Sequence, residues 1–344
     1  MNNQIILLLK DNKESVVRFV MDESLKKNIG KVDLAPELFE RDVNYILDYL
    51  IQSAELNSPL LFADFTAWLT ELLINLRIEP DHLRMSYDFI REGIANFTGD
   101  TNALNDYFTS ANKSFIRSTP REMETILPSE NEILGKYVRY LIKSNRNQAR
   151  NLIMDAFHSG MKIQNIYMDV FAPAQRMVGY LWQSNNISVA QEHYATAVTQ
   201  LIMSELYPYI FQNSQNNGYK MAGFAIGSEL HELAIRMVTD FFEMDGWDTS
   251  FYGSNMPAFS IINLLDQDNY NLLALSVTMM IHLNQLKECI RQIRNQDRFN
   301  NVKILVGGNP FNVDPDLWKT LGADGTAQNA ELAIHHANKW FNLS

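Results

Sequence analysis

The chain changes its hydrophobic periodicity once, and that change constrains its fold more than any other feature. Up to a tract at Gln212 to Gly218, rich in Asn, Gln and Ser and read as a flexible linker, apolar residues recur at helical spacings of three and four. Beyond it, short apolar runs alternate with helical stretches. The second pattern predicts strands at Met221 to Ile226, Thr249 to Tyr252, Leu272 to Ser276, Lys303 to Val306 and Asp324 to Ala327. Between and after them it predicts helices at Glu232 to Met244, Ala258 to Asp266, Met279 to Ile293 and Gln328 to Phe341. Strands that alternate with helices need right-handed crossovers, which gives an α/β, flavodoxin-like, doubly wound parallel sheet. Ligands of such sheets sit beyond the carboxyl ends of the strands, so the residues directly after each strand matter most.

The helical part divides again. Leu38 to Leu56, Leu60 to Ile78 and Asp81 to Phe97 read as helices, with Pro59 and Pro80 where helices start. The stretch Ser110 to Pro128, with Ser118, Thr119 and Pro120, reads as a joint. Four further helices are expected at Asn131 to Ser144, Gln148 to His158, Ile163 to Gln183 and Ser188 to Gln212. Ser188 and Gln191 are spaced as a capping box, and the short connections suggest an antiparallel bundle. The expected organisation is therefore multi-domain: an all-α N-terminal sensory or partner domain (1–128), a four-helix-bundle cap (129–214) and the Rossmann-like sheet (218–344). A chain of 344 residues is long enough for three such bodies.

Twenty-nine Lys and Arg face forty Asp and Glu, a net charge of −11 that would repel a phosphate backbone. The densest basic stretch, Lys136 to Arg150, threads through apolar helix positions and reads as a solvated face, which argues against direct nucleic-acid binding. Cys289 is the single cysteine, so an intramolecular disulfide and a cysteine metal cluster are both excluded. The apolar run Ile5 to Leu9 is too short for a signal sequence, and no eighteen apolar residues stand together, so a cytoplasmic protein without a membrane partner is expected. No Ser-His-Asp or paired-carboxylate spacing supports catalysis, so the chain does not read as an enzyme.

After the first strand comes Gly227-Ser228-Glu229-Leu230-His231-Glu232-Leu233-Ala234. A His two residues after a carboxylate can offer one ring nitrogen to a metal while the carboxylate orients the other. Ser276-Val277-Thr278 follows the third strand and Gly307-Gly308 the fourth, where missing side chains would let a flat ligand approach backbone. These three elements resemble the cobalamin-binding domain family, whose pattern is Asp-x-His-x-x-Gly, then Ser-x-Leu or Ser-x-Thr, then Gly-Gly. The resemblance implies that His231 is the lower axial cobalt ligand and that the nucleotide tail lies beside Ser276, Thr278, Gly307 and Gly308. Two positions depart from the pattern: Glu229 stands where Asp is usual, and Ala234 where Gly is usual.

In the bundle, Trp182 is followed after nine residues by Glu192-His193. This resembles the cap of adenosylcobalamin light sensors. It implies a Trp over the upper face of the cofactor, a Glu at the ribose hydroxyls of an adenosyl group, and His193 as a further upper-face contact. Gln183 stands where the light-regulated repressors carry the His that captures cobalt after photolysis. The implied function is a cobalamin photoreceptor that prefers adenosylcobalamin and signals through a homo-oligomer or a downstream partner. A corrinoid methyl carrier and a light-independent cobalamin sensor are the alternatives. Photocobilins pair the corrinoid with biliverdin, and Phe62, Phe65, Trp68, Tyr87, Phe89 and Tyr107 would be compatible with a noncovalent bilin.

Overall fold

The computed structural model describes residues 3–29, 35–99, 101–115, 127–128, 132–211 and 216–343, and divides the chain into two compact units, Met1–Pro120 and Arg121–Ser344. Among the described residues no helix is long and apolar enough to cross a membrane.

The first unit is helical, with helices at Asn3–Asp11, Lys13–Lys27, Pro36–Glu55, Pro59–Asn75, Pro80–Thr98 and Asn105–Ser114. Three of them open on proline, which lacks only the amide hydrogen that a first turn leaves unpaired anyway. The segment expected to be a joint from Ser110 is still helical to Ser114, and 116–126 lie outside the described residues. Phe62 is fully buried and packs on Phe65, Tyr87 and Phe108, while Tyr49 stacks on Phe65 with ring centroids 3.8 Å apart. The Tyr87 hydroxyl reaches Thr66 Oγ1 at 3.0 Å, the partner a buried phenol requires. Most of the aromatic residues compatible with a bilin are therefore the unit's own core.

The second unit begins with the bundle: Ile133–Ile142, Arg146–His158, a third helix in three pieces and Val189–Ile210. The third runs through Ile163–Asn165, a π-helical turn at Ile166–Phe171 and Ala172–Gln183. One continuous α-helix was expected here. Pro173 has no amide hydrogen to return to the preceding turn, and the wider turn before it accommodates the missing bond. The capping box is present as expected: Gln191 N–H donates to Ser188 Oγ, and Ser188 N–H donates to Gln191 Oε1 at 3.0 Å.

The sheet has five parallel strands in the order β2-β1-β3-β4-β5, with β1 at Lys220–Ala225, β2 at Asp248–Phe251, β3 at Leu272–Ser276, β4 at Lys303–Gly307 and β5 at Gly325–Thr326. The chain leaves β1 in one direction for β2 and in the other for β3, which places the topological switch point at the carboxyl ends of β1 and β3. Only β4 pairs with β5, and the edge strand is two residues long rather than the expected four. The following helix, Ala330–Phe341, starts at its Asn329 cap, whose side chain accepts from Leu332 N–H at 2.9 Å. Short helices at Asn309–Val313 and Leu317–Leu321 were not legible as periodicity, being barely one turn each.

The bundle caps the sheet domain. Its core is continuous with Leu233, Met237 and Phe241 of the helix after β1 (Leu233–Met244) and with Ala330 of the last helix. Inside that seam the Tyr167 hydroxyl, from the π-helical turn, donates to Asp240 Oδ2 at 2.8 Å, with both residues buried. Further out, Gln200 donates to Glu232 and Arg236 to Ser204, each at 3.0 Å.

Candidate functional site at the switch point

Glu229 and His231 lie in the loop between β1 and its helix, at the switch point. The Glu229 side chain is only 1% exposed, and its two oxygens divide their work. Oε1 accepts from the His231 backbone N–H at 3.0 Å and from His231 Nδ1, while Oε2 accepts from the N–H groups of Thr278 at 2.7 Å and Met279 at 2.8 Å. Burial alone would raise this carboxyl, but the hydrogen bonds from the His231 ring and from the Met279 and His231 amides outweigh it and hold it down to about 2. The site is thus an ionised, buried carboxylate with four donors. Because a carboxylate only accepts, Nδ1 carries the ring proton and Nε2 keeps its lone pair for a metal. The ring is more than half exposed.

The Glu in place of the expected Asp is accommodated by this geometry. It bridges the loop after β1 to the backbone after β3, where it satisfies two amides that precede the next helix. The helix expected from Met279 begins with a tight turn at Met280–His282 and becomes α-helical only at Leu283. Ala234 is exposed on the first turn of its helix, and so does not fill the sheet's interior.

Across the carboxyl edge, Ala225 pairs with Ser276 and Ser276 with Gly307, so three small residues lie in register on adjacent strands. Ala327 continues the row beside Gly307. The two glycines are not equivalent. Gly308 has φ +116°, and a Cβ there would lie 1.9 Å from the Val277 carbonyl, so its missing side chain admits the chain's own backbone rather than a ligand. At Gly307 the nearest atom to such a Cβ is 3.8 Å away, which leaves this position as the open one. Ala225 was not singled out in the sequence; only strand register reveals it. Together, the row of small residues and a single oriented imidazole fit a flat macrocycle with a tail. Among the described residues no three His, Cys, Asp or Glu side chains converge on a metal.

On the cap, Trp182 is 39% exposed and stands outside the bundle core. Glu192 accepts from His193 Nδ1, and His193 itself is largely exposed. His231 is raised from its ordinary value first by its hydrogen bond to Glu229, against burial, then by the charge of Glu229 and, least, by that of Glu192. Cys289 is buried, its thiol pushed up to about 12 by burial and by the Glu288 charge, and plays no part in the site.

A helical cap over a doubly wound parallel sheet, with one carboxylate-held imidazole at the switch point and a floor of small residues, defines a corrinoid-binding protein. Comparison with known families agrees: residues 133–207 and 219–335 each match a family described as a B12 binding domain. The chain belongs to the cobalamin-binding proteins. It is 20% identical over 211 residues to a corrinoid protein of Desulfitobacterium hafniense, an alignment that spans 60% of this chain and 96% of that protein. It is 24% identical over 115 residues to dimethylamine corrinoid protein 2 of Methanosarcina mazei, covering 33% of this chain and about half (52%) of that one. The fold of the monomethylamine corrinoid protein of Methanosarcina barkeri superposes with a TM-score of 0.55 at 21% identity, over 61% of this chain and 99% of that structure.

Proposed function

We propose that this protein is a corrinoid carrier, holding cobalamin between cap and sheet and presenting its upper face to partner methyltransferases. The observation that carries corrinoid binding in this reading is the buried Glu229 clamp, which fixes the tautomer and direction of His231. His231 Nε2 would hold the cobalt, and Ser276 and Gly307 would hold the tail, with Thr278 and Gly308 shaping the loops at the site's mouth. The bound corrinoid supplies the chemistry of a cobalt–carbon bond; the protein's own residues orient the ring and shield its faces. The names of the relatives support the carrier reading.

A second reading, the cobalamin photoreceptor, is favoured by one specific arrangement. Trp182 is exposed rather than packed in the bundle, and Glu192 is partly exposed on the following helix, the residue types that an adenosyl group would require as an apolar face and an acceptor. In this reading light removes the upper ligand and the cap shifts, with an oligomer or a signalling partner as output. Biliverdin is not part of either reading, because the first unit's aromatic residues are occupied with one another.

One experiment separates the two. The full chain is reconstituted in the dark with methylcobalamin or adenosylcobalamin, and absorption spectra and elution profiles are recorded before and after illumination. A carrier binds methylcobalamin at least as tightly as adenosylcobalamin and keeps its elution volume in light. A photoreceptor prefers adenosylcobalamin and changes hydrodynamic size. Loss of the nitrogen-ligated spectrum in His231→Ala is expected in both, and its retention would remove the site assignment.

A further inference from the structure

The loop that carries His231 is tied down on a second side. Glu232, the next residue, stands at the start of the Leu233–Met244 helix but makes no side-chain bond to that helix's first turn. Its carboxylate turns to the cap instead, where Oε1 accepts from Gln200 Nε2 at 3.0 Å. Because a carboxylate only accepts, the Gln200 amide is held with its nitrogen toward Glu232. The other oxygen, Oε2, lies toward the loop after β2, where a Cβ added at Gly253 would be 3.3 Å from it. That loop is itself bonded to the chain before His231: Ala225 N–H donates to the Gly253 carbonyl at 2.9 Å, and Asn255 N–H to the Glu229 carbonyl at 3.2 Å. Leu233 then enters the bundle core. Between the buried Glu229 and the anchored Glu232, only Leu230 and His231 are exposed. The contact belongs to a longer seam. Glu232, Arg236 and Asp240, four residues apart on one stripe of the helix, meet Gln200, Ser204 and Tyr167 of the cap, and the first of these contacts is the one beside His231.

We propose that Gln200 and Glu232 are positioning residues for His231: the cap holds the loop of the metal ligand from one side while the Glu229 clamp holds it from the other. The inference rests on the reading of His231 as the cobalt ligand, which the carrier and the photoreceptor share. A short exposed loop free at one end samples several directions of the imidazole. One braced at both ends loses less freedom when the ligand binds, so the brace contributes to corrinoid affinity, and does so through His231.

The test is a double-mutant cycle on the full chain, titrated in the dark with methylcobalamin and followed by absorption spectra. With His231 present, Gln200→Leu is expected to weaken binding about tenfold, the size of one hydrogen bond to a charged group; in a His231→Ala background it should cost less than about twofold. Glu232→Ala should behave as Gln200→Leu does and serves if that variant fails to fold. Glu232→Gln keeps an oxygen that accepts from Gln200 and is expected to recover most of the affinity that Glu232→Ala loses. An equal loss in both backgrounds, no loss in a folded variant, or no recovery in Glu232→Gln overturns the positioning role alone. A His231→Ala protein that keeps wild-type affinity and the nitrogen-ligated spectrum overturns the reading of His231 beneath it.

Discussion

Two Glu–His pairs share one contact, a carboxylate oxygen on His Nδ1, and differ in almost everything else. Glu229 of the sheet domain is buried, accepts four hydrogen bonds and ties two loops together. Glu192 of the cap is partly exposed and keeps acceptor capacity. A saturated, rigid support of this kind suits the metal ligand proposed for His231, whereas the carboxylate of Glu192 is left less satisfied by its own surroundings.

The largest effect that would break this contrast is on stability. Glu229→Ala leaves three backbone amides and a His without their acceptor, and is expected to cost about 3–5 kcal/mol in urea unfolding of the cofactor-free chain. Glu229→Gln, closer in shape, should cost less stability but about 10–100-fold in corrinoid affinity. A Glu229→Ala protein as stable as wild type would show that the clamp is not a structural support.

The two glycines sharpen the same distinction within the sheet. Gly308→Ala should destabilise by roughly 2 kcal/mol or more, because both its φ of +116° and the Val277 carbonyl oppose a side chain. Gly307→Ala is expected to fold near normally and to weaken corrinoid binding instead. Equal stability losses at the two positions, read by thermal melting, would contradict the assignment of Gly307 as the open position.

A third carboxylate lies in the seam between the two regions. Burial raises Asp240 to about 6, with Glu243 adding to the shift and the Tyr167 hydroxyl and Arg236 opposing it. Its ordinary value is 3.8, so between these values the folded chain holds a proton that the unfolded chain has released. The stability that this proton contributes is fully present below about pH 4 and lost as pH rises through 6. Relative to Asp240→Asn, wild type is expected to gain about 1 kcal/mol between pH 7 and pH 5, one unit of linked protonation. Parallel pH profiles for the two proteins would show that the seam does not titrate. The smallest effect belongs to the cap pair: Glu192→Ala should cost no more than about 1 kcal/mol in urea unfolding, the loss of one acidic side chain from the first turn of its helix.

Much of this molecule was legible before its structure. β3 was expected at Leu272 to Ser276 and is found there, because five buried apolar and small residues between turn signals leave little choice. The capping box at Ser188 and Gln191 was equally plain, since its chemistry is local. The clamp was half legible: spacing marked Glu229 and His231, but the amides of Thr278 and Met279 carry no side-chain signal and lie some fifty residues away. The π-helical turn, the Tyr167–Asp240 contact and the hydrogen bonds that join Tyr137, Thr199, Gln175 and Thr196 escaped entirely. Their members are ordinary helix residues until the packing sets them side by side.

The sequence by itself determined the order of elements, the helical cap before a parallel sheet, and the His at the end of β1, because periodicity, capping and spacing act over a few residues at a time. Only the tertiary structure decided which carboxylate is saturated and which is open, and which glycine serves the backbone and which faces open space. Those properties depend on burial and on donors brought in from distant strands and helices, and the free energy of a buried charge is set by everything around it rather than by its neighbours along the chain.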